Sequence, residues 1–197
     1  PQKYLHKTCL IMPGVENPLH ISRYKVARVF AGIYDRFFFK KAQHVSIIMA
    51  AADNNAIKSF IERSKGTIAP EKVNQFPTRY DANIFKIMDR NALRKKYGID
   101  KDTVLYVTTG RLNWFKGWKF MIDCIDRLNN CLAKLVFMGD GEDEQKIKDY
   151  ISVRKLDEQI ILLGRKPLEV IAEYLNMADA FIMGSYKEGW STSLVEA

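Results

Sequence analysis

The sequence predicts an α/β protein built on a parallel sheet with helices on its faces. From residue 103 onward, short β-branched apolar runs alternate with helix-period segments. Most of these runs stop at a glycine: Gly139, Gly164 and Gly184. Hydrophobic residues make up 47% of the 197, enough to bury a real core, so one or two domains fit.

The elements follow in order. The first hundred residues are less regular. Residues 21–39 predict a helix with Val26, Val29, Phe30, Ile33 and Phe37 on one face. HVSIIMA (44–50) reads as a strand, and residues 55–64 as a helix with Ile57, Phe60 and Ile61 inward. KVNQF (72–76) is a short strand. A loop with Pro77 and Asp81 precedes a helix over 89–98, with Asp89 as N-cap and Gly98 as its stop. TVLYVTT (103–109) is a buried strand. The helix from Lys116 to Leu128 places Phe120, Met121, Cys124, Ile125 and Leu128 at helical spacing. LAKLVFM (132–138) is the next strand, followed by a helix with Ile147, Tyr150 and Ile151 on one face. QIILL (159–163) leads to a helix opened by Pro167 and carrying Val170, Ile171, Tyr174 and Leu175. AFIM (180–183) is the last strand, and a helix begins near Thr192. The main boundary falls near residues 66–76, which predicts one domain over 1–70 and another over 71–197. No internal repeat or low-complexity tract appears.

The formal charge of +8 favours anionic partners without choosing among them. Cys9, Cys124 and Cys131 form no CxxC pair, which suits a reducing, cytoplasmic setting. No apolar run reaches the roughly 18–20 residues that span a bilayer, and no signal peptide is evident. The chain begins at Pro1 and stops at Ala197 as a helix is starting, so a piece of a longer protein is expected.

In open parallel sheets, ligands bind beyond the carboxyl ends of the strands. Arg111, Gly139, Gly141, Arg165 and Glu188 each follow such an end. Fixed cations at Arg111 and Lys116 suit a diphosphate leaving group, whose charge grows in the transition state. Arg grips two oxygens at once and Lys acts as a point charge. A solvated basic loop explains the same pair. Small hydroxyl residues at Ser191, Thr192 and Ser193 suit phosphate at a helix start, or simply cap it. Glu196 is placed to accept hydrogen bonds from two ribose hydroxyls, and Glu188 lies in the loop before it; a surface Glu favoured near a helix start explains each as well. Gly139 and Gly141 form a lone GxG turn; the GxGxxG fingerprint fails because residue 144 is Glu. His6, His20 and His44 are scattered, and no HExxH, DxD or Cys/His cluster occurs, so a metal-independent site is expected. Trp114, Phe115 and Trp118 either stack on a base or pack.

In this order, GRLNWFKG, VFMGDGE, LLGRKPLEVIAEYLNMADAFIMGS and EGWSTSLVEA resemble the C-terminal donor domain of retaining glycosyltransferases with the GT-B fold, family 4. KVNQFPTRYDANIF, with Asp81 and Phe85, resembles the segment leading into that domain. The resemblance covers residues 70–197 well and 1–69 loosely. It implies a Rossmann-like donor domain, incomplete at its C-terminus, preceded by the end of an N-terminal α/β domain. It implies transfer of a sugar from a nucleotide-diphosphate sugar to a sugar or lipid-linked acceptor, with retention and without metal, in polysaccharide or glycoconjugate synthesis. Arg111, Lys116 and Glu188 take the catalytic positions. Gly110, Gly139, Arg165, Lys166, Gly189, Trp190, Ser191, Thr192, Ser193, Leu194 and Glu196 take the donor-binding ones. Many relatives have a His-Gly pair where this chain has IMPGVENP, so no catalytic His carries over to Pro13-Gly14.

Two other readings stand beside this one. The same fold can serve as a non-catalytic nucleotide-binding module. The stretch 23–41, with Arg23, Lys25, Arg28, Arg36, Lys40 and Lys41 beside an apolar face, also suits a peripheral membrane contact at the inner face of the membrane. A helix packed on a sheet with a solvated charged face has the same pattern. No nucleic-acid motif appears.

Overall fold

The computed structural model describes residues 2–12, 14–15, 17, 25–186, 188 and 190–197. The chain divides into two compact units, one of residues 1–78 with 188–191 and one of residues 79–187 with 192–197.

In the first unit, β1 (Cys9–Met12), β2 (Ile47–Ala50) and β3 (Val73–Gln75) form a parallel sheet in that order. Helices α1 (Lys25–Val29) and α2 (Ala31–Ala42) lie between β1 and β2 in the chain, and α3 (Asn54–Arg63) between β2 and β3. Asp53 caps α3 by accepting from the Ala56 amide at 2.7 Å. Phe39, Ile48, Phe60 and Ile68 anchor the core, with Phe39 and Phe60 meeting edge to face at 5.2 Å between centroids.

The helix over 21–39 needs two corrections. It spans two segments that end at Ala42, and residues 21–24 lie outside the described ones. Its apolar stripe of Val26, Val29, Phe30, Ile33 and Phe37 faces solvent. The packed face is Ala31, Asp35, Phe39 and Ala42. Periodicity cannot tell these two faces apart once an acid sits on the inner one. Asp35 is tolerated there because the Asn17 amide donates to it at 2.9 Å and Arg63 Nε lies 3.9 Å away. Pro13 of the IMPGVENP turn also lies outside the described residues.

The second unit opens with α4 (Arg90–Tyr97). Asp89 caps it through the amides of Asn91 and Ala92, and Gly98 ends it at φ 66°. β4 (Val104–Thr109), α5 (Trp118–Leu128), β5 (Ala133–Met138), α6 (Glu144–Val153), β6 (Ile160–Gly164), α7 (Leu168–Met177), β7 (Ala180–Phe181) and α8 (Thr192–Glu196) follow. All pairings in this sheet are parallel, in the order β6-β5-β4-β7. Alternate residues serve opposite faces. Leu135 and Phe137 pack with α5 and α6, whereas Val136 and Met138 pack with α7 and residues of α4. The inward face of α5 is Met121, Ile122 and Ile125, while Phe120, Cys124 and Leu128 are exposed, which shifts the predicted face by one residue. Trp118 and Ile122, one turn apart, define that face.

Among the described residues no helix is long and apolar enough to cross a membrane. Cys9, Cys124 and Cys131 are exposed and free.

Candidate functional site

The carboxyl ends of three strands are tied together through the main chain. The Gly110 amide donates to Met138 O and the Gly139 amide to Gly164 O, each at 3.0 Å, and the Leu112 amide donates to Asp140 O at 2.8 Å. This crossing explains Gly139. Its φ is 151°, and a Cβ there would stand 2.0 Å from Gly110 O.

The sheet order also reverses here. From β4 the chain steps outward to β5 and β6, then returns to pair β7 on the other side of β4. Such a reversal leaves a crevice at the strand ends. The segment after β4 meets the segment after β7. Tyr186 N donates to Phe115 O at 3.0 Å, the rings of Trp114 and Tyr186 lie 5.7 Å apart, and a Cβ on Gly117 would sit 1.9 Å from Gly184 O. The loop aromatics therefore pack. Trp118 donates its indole N–H to Asp143 at 3.2 Å and meets Tyr150 edge to face. Asp143 is buried and paired with Lys146 at 2.6 Å.

Within this unit a cavity of about 810 Å³ opens at the strand ends. That size suits a small organic ligand, for which pockets run roughly 300–1,000 Å³. Thr109 and Gly110 line it from β4, and Met138 and Gly139 from β5. Arg165, Lys166, Pro167, Leu168 and Ile171 line it from the β6–α7 side, and Thr192, Ser193 and Glu196 from α8. Seven residues named from the sequence thus share one cavity: Gly110, Gly139, Arg165, Lys166, Thr192, Ser193 and Glu196. Burial pushes the Glu196 carboxyl above its ordinary pKa.

The other named residues stand elsewhere. Arg111 is exposed on the loop after β4. Lys116 is half-buried, and its Cε lies 4.0 Å from where a Cβ on Gly110 would be, so its stem runs against that strand end. Leu194 is 55% exposed and does not line the cavity. Glu188, Trp190 and Ser191 group with the first unit, where the Thr78 hydroxyl donates to Trp190 O at 3.2 Å. Gly189 lies outside the described residues.

Sequence reading missed Thr109. It ends β4 and lines the cavity, and its buried Oγ1 has no hydrogen-bond partner among the described residues. The strand-end position was the available signal, but a Thr in a β-branched run looks like any other strand residue. Among the described residues no group of three or more His, Cys, Asp or Glu converges as metal ligands do.

The profile of the glycosyl transferases group 1 family matches residues 89–197, more than half of the chain. The chain belongs to that family. It is 27% identical over 167 residues to an uncharacterised glycosyltransferase of Methanocaldococcus jannaschii, covering 82% of this chain and 39% of that protein. It is 32% identical over 108 residues to the putative teichuronic acid biosynthesis glycosyltransferase TuaC of Bacillus subtilis, covering 55% and 25%. Its fold matches the Anabaena protein Alr3699/HepE in complex with UDP-glucose, at a TM-score of 0.77 and 18% identity, covering 95% of this chain and 50% of that one. It also matches WaaG, a glycosyltransferase involved in lipopolysaccharide biosynthesis, at a TM-score of 0.69 and 18% identity, covering 82% and 45%. The fold is therefore of the GT-B type, and the chain spans half or less of these proteins' lengths.

Proposed function

We propose that this chain forms the donor side of an enzyme that transfers a sugar from a nucleotide-diphosphate sugar to a sugar or lipid-linked acceptor. The cavity at the strand ends carries the reading. It combines cations, hydroxyls and a carboxylate, the groups that a phosphorylated, hydroxyl-rich ligand needs. The Anabaena protein of similar fold is solved with UDP and with UDP-glucose, which makes a uridine nucleotide the first ligand to try.

In this reading Glu196 accepts from the ribose hydroxyls, and Arg165 and Lys166 lie near the base. Gly110, Gly139 and the main chain over Trp190, Ser191, Thr192, Ser193 and Leu194 approach phosphate and sugar. Glu188 lies near the donor sugar. The bond from the anomeric carbon to the diphosphate oxygen breaks as the acceptor oxygen bonds on the same face, with retention. The leaving phosphate takes the acceptor's proton, so no side-chain base is required. Arg111 and Lys116 stabilise the charge that gathers on that phosphate, in place of a metal. Polysaccharide or glycoconjugate synthesis is the setting that suits such transfer.

The test is a melting-temperature panel on the natural full-length chain with UDP, GDP, ADP and CMP, each with and without EDTA. A ligand at about a hundred times its dissociation constant adds about 2.7 kcal/mol to stability. The expected outcome is stabilisation by one diphosphate, unaffected by EDTA and lost in Arg111→Ala. A folded protein indifferent to all four would remove the reading.

A further inference from the structure

Among the described residues of the second unit, the buried charged side chains are Arg94 and Asp143. Arg94 works at the amino end of β4, where it donates to Thr103 O. Asp143 stands at the other end of the sheet, in the turn between β5 and α6. Burying a carboxylate is costly, and a well-packed apolar residue in its place is often neutral or stabilising. Packing alone therefore gives no reason for an acid here.

Asp143 grips one loop twice. Its amide donates to Leu112 O at 3.0 Å, and its Oδ2 accepts from the Trp118 indole at 3.2 Å. These two partners bracket the loop between β4 and α5, with Arg111 immediately before the bracket and Lys116 inside it. The first grip is closed from both sides. The Leu112 amide donates to Asp140 O at 2.8 Å, and a Cβ on Gly141 would stand 2.3 Å from Leu112 O. At the second grip, Gly117 packs on Gly184 and Trp118 meets Tyr150 edge to face. Between the grips, the Asn113 side chain accepts from the Lys116 amide at 3.2 Å and so holds the single turn that carries Lys116. Lys146 balances the charge of the carboxylate from 2.6 Å. All of these groups belong to the second unit.

We propose that Asp143 is a positioning residue for Arg111 and Lys116. Its amide and carboxylate fix the two ends of the loop, and the loop aims both cations at the diphosphate. The proposal rests on the sugar-donor reading of the strand-end cavity, which Asp143 itself does not line. A cation held in place beforehand needs no further ordering when phosphate arrives.

The test compares UDP with uridine, which has the same base and ribose but no phosphate. Melting shifts of the natural full-length chain are read at graded concentrations of each. Trp118→Phe keeps the ring and removes the indole N–H. It should weaken UDP about tenfold, near the lower value of one hydrogen bond to a charged group. Uridine should stay within about twofold, as expected for a site that shares no partner with the loop. Asp143→Leu should behave like Trp118→Phe. Asp143→Asn keeps an acceptor for the indole and the amide for Leu112, so its UDP affinity should stay near that of the wild type. If Asp143→Leu does not fold, Trp118→Phe decides alone. Equal losses on UDP and uridine overturn the proposal, as does wild-type UDP affinity in Trp118→Phe; both leave the donor reading intact. If GDP or ADP is the diphosphate that stabilises the wild type, guanosine or adenosine replaces uridine. A wild type indifferent to all three diphosphates overturns the donor reading and the proposal with it.

Discussion

At the scale of single residues, Arg94 shows how one buried cation can hold a unit together. Its guanidinium donates to the carbonyls of Met177, Asp100, Lys101 and Thr103 and to the Asp179 carboxylate at 2.8 Å. Asp179 in turn accepts from the Leu105 amide at 2.8 Å, at the start of β4, and pairs with Arg90. Replacing Arg94 by Met leaves several buried acceptors unpaired and should cost about 3–5 kcal/mol in urea unfolding. Burial alone would raise the Asp179 carboxyl. The Leu105 amide, Arg90 and Arg94 outweigh it and hold its pKa below the ordinary value of 3.8. The stability this contributes is fully present above the ordinary carboxylate range and is lost as pH falls below it. Asp179→Asn should therefore flatten the acid limb of the urea midpoint against pH. Glu196 has the opposite shift, because burial raises it. At mildly acidic pH more of it is protonated than of an ordinary Glu, so nucleotide affinity that needs its ionised form should begin to fall at a higher pH. Titration calorimetry of the wild type beside Glu196→Gln checks this, with the variant weaker but flat. The roles of Arg94 and Asp179 were not legible from the sequence. Arg94 and Asp179 stand 85 positions apart and look like two surface charges until the fold brings them together.

At the scale of elements, sequence signals worked best where they were local. Asp89 and Gly98 bracket α4 because capping needs only neighbours along the chain. The strands from β4 to β6 were visible as apolar runs because both their faces are buried. The faces of amphipathic helices were less legible. On α2 the inward side includes an acid, and on α5 Phe120 points outward while Ile122 packs. At the strand-end loops of the second unit, glycines let backbone approach backbone closely. Gly139→Ala places a methyl 2.0 Å from Gly110 O, and Gly117→Ala places one 1.9 Å from Gly184 O. Neither contact can relax without moving backbone. Each substitution should cost at least about 1–3 kcal/mol and lower the melting temperature, and Gly139→Ala should also weaken nucleotide binding by displacing the cavity wall. A melting curve with wild-type midpoint for either variant would contradict this account.

At the scale of the whole molecule, the chain holds two units and spans half or less of its relatives' lengths. In the natural full-length chain, Glu188→Ala should lower turnover by orders of magnitude while nucleotide affinity holds, because its proposed place is beside the sugar and away from the base. The sequence by itself determined the α/β class, the succession of parallel strands, the placement of Gly139 and Arg165 at strand ends and that of Thr192, Ser193 and Glu196 at a helix start. Those follow from periodicity and chain order, which are local. Only the tertiary structure decided the order β6-β5-β4-β7, the gathering of those five residues with Gly110 and Lys166 around one cavity and the outward turn of the Val26-to-Phe37 stripe. Each of these depends on which distant segments meet, and a helix or strand presents the same pattern to the sequence whichever of its faces finds a partner.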